Sequence, residues 1–123
     1  MGNLRSLVVP VTSAADGTAT AYSEAVSGYI EAIVYTKTDY TDGVDFTITA
    51  ETSAIGIWTE SNVNASTVRH PRAATHHQDG TAALHAAAGT AVNDKIPLVN
   101  ERVKIVLASG GATKAGSFRV IVS

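Results

Sequence analysis

No cysteine occurs among the 123 residues, which excludes a disulfide-stapled scaffold and any cysteine-ligated metal site and leaves the redox compartment open. Long apolar runs are missing too. None approaches the roughly 18 residues of a membrane span, and the N-terminus lacks the apolar region of a secretory signal, so a soluble chain with no membrane partner is expected. A basic excess is also absent. The net charge of −2 argues against general nucleic-acid binding, which needs a concentrated basic surface to release counterions from phosphates. That total conceals a split: residues 1–60 set two bases against eight acids, a net −6, and residues 61–123 set seven bases against three acids, a net +4. Either strands of the two halves interleave in space, or the surface is dipolar and suits self-assembly.

Signatures of catalysis are lacking as well. Hydrolysis needs a nucleophile, a base and an orienting acid brought together, and Gly-x-Ser-x-Gly does not occur; the serines and threonines decorate outward strand faces. Asp39, Asp42 and Asp45 sit near one loop, yet the twelve-residue calcium-loop pattern is missing, and an aspartate-rich turn explains them. The glycine-rich run Ser109–Gly116 joins two strands, so the strand-to-helix context of a phosphate loop fails. The expectation is a protein that is not an enzyme and has no cofactor.

What is present is strand patterning. One domain spanning residues 1–123 is expected, long enough to bury roughly two-thirds of its unfolded surface. Tyr29–Thr36 alternates, with Ile30, Ala32 and Val34 on one face and Ile33 and Tyr35 on the other. Val44, Phe46, Ile48 and Ala50 then face inward, and the two strands are expected to pair as a hairpin with Asp42 and Gly43 in its loop. A third strand follows through Ile55, Ile57 and Thr59. Trp58 is read as a core cap, with an exposed contact residue as the alternative. Near the C-terminus, Val103, Ile105 and Leu107, and again Phe118, Val120 and Val122, define two strands expected to form a second hairpin. Ala19, Ala21 and Ser23 mark a weaker strand. Leu4–Val11 is β-rich, but Pro10 cannot donate to a ladder, so the run belongs at an edge or its strand ends there, and residues 1–11 are a candidate N-terminal arm of the kind that reaches a neighbour. Met1–Ser6 also fits a myristoylation pattern through Gly2 and Ser6, and Asn64-Ala-Ser66 a glycosylation sequon; both matches are short enough to arise by chance. Many short strands with frequent turn signals and no long helix indicate an all-β fold: a single antiparallel β-sandwich, the jelly roll being one form of it, with one long connection.

That connection is 63–92, rich in alanine, threonine and histidine and poor in bulky apolar residues. Thr81–Ala88 reads equally as two turns of helix or as a strand. His70, His76, His77 and His85 fall close together with Asp79 among them. Their spacing matches no standard zinc pattern, and adjacent histidines on an extended chain point opposite ways, so no metal is assigned. A segment this poor in apolar side chains cannot offset an ordering entropy of about 1–2 kcal/mol per residue by its own burial. It is therefore expected to bind a partner or a second copy, with Arg69, His70, Arg72, His76, His77 and His85 as contact residues and an acidic surface as their complement.

Several segments resemble the small capsid decoration, or cement, proteins and related virion structural proteins of tailed bacteriophages. They are Gly28-Tyr-Ile-Glu-Ala-Ile33, Gly43-Val-Asp-Phe-Thr-Ile48, Pro71-Arg72, Glu101-Arg-Val-Lys-Ile105 with the following Gly110-Gly111, and Gly116-Ser-Phe-Arg-Val120. The resemblance covers about half of the chain, in family order. It implies a β-sandwich or jelly roll that oligomerises and binds the outer face of an assembled head, with the major capsid protein or other virion proteins as partners. It places the chain in the virion, assembled in the bacterial host cytoplasm. A head-tail connector or tail component would give similar sequences; a β-sandwich adhesin or carbohydrate-binding module and, last, a metal hydrolase are the readings from other classes.

Overall fold

The computed structural model describes residues 4–123; Gly2, on which the myristoylation pattern turns, lies outside them. The strands are β1 (Arg5–Thr12), β2 (Ala19–Tyr22), β3 (Val26–Lys37), β4 (Val44–Ala50), β5 (Gly56–Val63) and β6 (Thr67–Arg69). They continue with β7 (Ala73–Ala74), β8 (Asn93–Asp94), β9 (Ile96–Glu101), β10 (Val103–Ala108) and β11 (Ala115–Val122). No helix occurs among the described residues, and so none long and apolar enough to cross a membrane.

The pairing follows one rule. β1 pairs with β11, β2 with β10, β3 with β9 and β4 with β5, all antiparallel. This is a long hairpin folded back on itself. Rolling it up joins β11 to β3 and β10 to β4, which yields a sheet of order β1-β11-β3, with both β9 and β6 on the far edge of β3, and a sheet of order β2-β10-β4-β5. An antiparallel sandwich so connected is a jelly roll.

Both expected hairpins are corrected by this topology. β3 and β4 lie in opposite sheets, as do β10 and β11, so the connections after Lys37 and after Ala108 cross the sandwich instead of closing a turn. Alternation reports which face is buried, and strands of facing sheets bury the same face as hairpin partners do. The crossing loops are bonded to one another: Gly110 N donates to Gly17 O (2.9 Å), Thr41 N to Gly110 O (3.2 Å) and Ser13 N to Lys114 O (2.8 Å). Tyr40 plugs this end, donating its hydroxyl to Val11 O. Gly116 has no side chain because a Cβ there would collide with the Tyr40 ring.

Of the placements expected for the run through Pro10, the edge is the one found: from Arg5 onward it is an edge strand of the domain's own first sheet that continues past Pro10 to Thr12, with Val9 and Val11 in the core. β3 also departs from simple alternation. A bulge lies where Val122 pairs with Ile30 and Ile121 with Ala32. Ile30 therefore enters the core on one side of it and Ile33 and Tyr35 on the other. The core is one cluster across both sheets, in which Phe118 lies 5.1 Å from both Tyr35 and Phe46, and Phe46 meets Trp58 edge-on at 4.6 Å. Trp58 is thus a core residue.

One polar atom sits wrongly in that core. The Tyr35 hydroxyl is buried and has no hydrogen-bond partner among the described residues, and burial pushes its pKa up. A desolvated, unpaired hydroxyl destabilises the fold, so Tyr35→Phe is expected to raise stability by about 1 kcal/mol. Equilibrium unfolding in urea checks this, and a loss of stability would mean that the hydroxyl is satisfied.

The opposite end is held by Glu101, a buried carboxylate accepting from Thr52 N and Ser53 N at 3.0 Å each and from Ser53 Oγ. These bonds, led by the Ser53 amide, hold its carboxyl below the usual carboxylate range. Glu51 is lowered by Arg102, Glu60 by Arg69 and Glu31 by Lys95. A lowered folded pKa contributes stability that is present above the unfolded value, near 4.3 for glutamate, and lost as pH falls through the folded one. The melting temperature is therefore expected to hold from pH 8 to about 5 and to fall below about 4. Glu101→Gln should melt lower at pH 7 and lose less on acidification.

Candidate partner-binding arm

The long connection divides into two parts. Its first residues belong to the sandwich: β6 pairs with β3 on the same edge that β9 uses further along. Asn64 and Ser66, the two ends of the sequon, tie this stretch to the β3–β4 crossing by accepting from Gly43 N and Lys37 N. Pro71 is buried, and from there the chain leaves the body.

Residues 72–95 contain no buried residue. Within them β7 and β8 form a stem, Ala73 opposite Asp94 and Ala74 opposite Asn93. Above the stem three backbone segments close a ring of bonds: Thr75 N donates to Val92 O (2.8 Å), Val92 N to Ala83 O (2.9 Å) and Ala83 N to Thr75 O (3.1 Å). Two loops grow from this hub. One is closed by His77 N to Thr81 O and by Asp79, which accepts from the Thr81 amide and hydroxyl; the other by His85 N to Thr90 O. Thr81–Ala88 is accordingly neither helix nor strand. Its alanines carry too little side chain to hold either without a surface to pack against.

The arm therefore has a hydrogen-bonded scaffold and no core. Several backbone groups are bonded within the arm, whereas most of its side chains, Leu84 among them, remain exposed, and only Thr75, Ala83, Ala91 and Val92 are half-buried. The expected contact residues divide in the same way. His76, His77 and His85 are exposed on the two loops, and His70 is exposed at the base. Among the described residues no three histidine, aspartate or glutamate side chains converge into a group that could hold a metal ion.

Both arginines are engaged within the chain. Arg69 makes a bidentate pair with Glu60, at 3.0 Å for each bond, and its guanidinium lies 5.9 Å from the Trp58 ring. Arg72 donates to the carbonyls of Ile30, Glu31 and Pro71 at 3.4, 3.2 and 2.8 Å, filling the gap on the β3 edge between β6 and β9. Lys95 pairs with Glu31 at 2.7 Å on the other side of the stem. The arginines thus brace the root of the arm. Beyond Arg72 the arm has no lysine or arginine up to Asp94, and two aspartates, Asp79 and Asp94. The basic character expected of the connection belongs to its base.

The charge split between the halves dissolves in the same network. Arg69–Glu60, Lys95–Glu31 and Arg102–Glu51 each join a base of the second half to an acid of the first. Comparison with protein-family models, with curated proteins and with solved structures found no match.

Proposed function

We propose that the protein is a non-enzymatic structural protein of a tailed-phage virion, a decoration or cement protein that binds the outer face of the capsid and stabilises the shell. The observation that carries this reading is the arm: a projecting segment with an ordered backbone and no buried side chain. A segment whose side chains bury nothing at home is suited to bury them on a partner. The jelly-roll body suits a rigid carrier, since its core is continuous and its loop-bearing end is cross-bonded. The partner in this reading is the major capsid protein or another virion protein, together with further copies of the chain, and the chain resides in the virion.

Copy number in purified virions is the test. A decoration role predicts a number comparable to that of the shell subunit. One ring's worth of copies would favour a head-tail connector or tail component instead, and absence from particles would remove both.

A further inference from the structure

The two sheets present different outer faces. Across the second sheet the outward row is Thr20, Val106, Thr47, Thr59. Across the first sheet it is Val8, Arg119, Val34, Val68. Ile121 lies in the next row, and Tyr29 faces out opposite Pro97 toward the far end. Val8, Val68 and Tyr29 are each about half exposed, at 56%, 46% and 52%. The second face sets Val106 (38% exposed) among threonines, with Tyr22 (39%) in the next row, whereas the first carries the larger apolar strip, with a cation at its middle. Among the described residues Arg119 has no side-chain hydrogen bond and no ion pair.

We infer that the outer face of the β1-β11-β3-β6 sheet is the docking surface for the arm of a second copy of this chain. The inference rests on reading the arm as the partner-binding segment, and it names the partner. Charge complementarity supports it: the arm's formal charges are Asp79 and Asp94 alone, and the row at the face's centre holds Arg119. Size supports it too, because residues 73–94 match the roughly 20–30 residues that a standard interface uses on each side. The arm leaves from the edge of this same sheet, and β7 and β8 pair only with each other; Val8, Arg119 and Val68 of the face stay exposed, Val34 and Ile121 are half-buried and Ala32 is covered. Arm and face are different surfaces. The association is therefore head-to-tail, each copy giving an arm to one neighbour and a face to another, and it closes as a ring or grows as a filament.

Complementation between two crippled copies tests this. In one, an Asn-Gly turn joins Ala74 to Asn93 and removes the arm; in the other, Val68→Asp with Arg119→Glu spoils the face. Circular dichroism and melting temperature establish that both fold, and Leu84→Asp replaces arm removal if the shortened chain does not. Light scattering should show an oligomeric wild type, each variant weakened in self-association by at least about tenfold, and a one-to-one complex when the two are mixed. A monomeric wild type overturns the inference. So does an armless chain that still associates, which would mean face meets face, or a face variant that still associates, which would mean arm meets arm. A chain that associates as described yet is absent from virions removes the virion reading and leaves this one standing; a chain present in virions but monomeric in solution does the reverse.

Discussion

Truncating Phe118 to alanine is expected to cost about 3–5 kcal/mol, enough to threaten a domain whose total stability is of order 5–15 kcal/mol. The ring is fully buried. It comes from β11, and packs edge-on against Phe46 from β4, so one side chain joins the two sheets at their centre. Tyr35 lies against the same ring, and Trp58 against Phe46. No neighbour can collapse into the space without leaving its own contacts, and the cavity should therefore persist. Urea unfolding of Phe118→Ala and Phe46→Ala checks the value. A loss below about 1 kcal/mol at both positions would mean the rings are not where the two sheets meet.

The largest functional effect is expected from removing the arm. Because Ala74 and Asn93 are already paired, a two-residue Asn-Gly turn closes the stem in a geometry hairpins favour. No buried side chain is lost, and a shorter loop lowers the entropy of closure, so stability should change by less than about 1 kcal/mol. Particle binding, by contrast, should fall at least about a hundredfold. Co-sedimentation with undecorated shells measures it. Equal binding by armless and intact chains would assign the interface to the sandwich body.

The inward faces were legible in the sequence because period-2 alternation is a direct record of burial. Val44–Ala50, Val103–Leu107 and Phe118–Val122 all bury the residues the pattern names. Sheet membership was not legible, since the glycine-rich crossings after Lys37 and Ala108 look like hairpin turns, and only the bonds between Thr41, Gly110 and Gly17 reveal a shared loop end. The bulge near Glu31 was hidden for a different reason. It inserts one residue into a run apolar on both sides of it, so Ile30, Ala32 and Ile33 offer no break in pattern.

The arm was legible as a segment too poor in large side chains to support itself, but its boundary and its charge were not. Thr67–Arg69 pairs with β3, and Pro71 is buried, which moves the arm's root past them. That Arg69 and Arg72 are engaged within the chain was not legible, because their partners, Glu60 and the carbonyls of Ile30 and Glu31, lie distant in sequence or are backbone atoms.

Limited proteolysis decides whether residues 73–94 are covered by a partner on the particle, as the proposed role requires. Trypsin has no site between Arg72 and Lys95, so thermolysin, which cuts before apolar residues such as Leu84, is the reagent. Rapid cleavage near Leu84 is expected in dilute free protein, and protection in purified virions. Equal cleavage rates in the two states would contradict it.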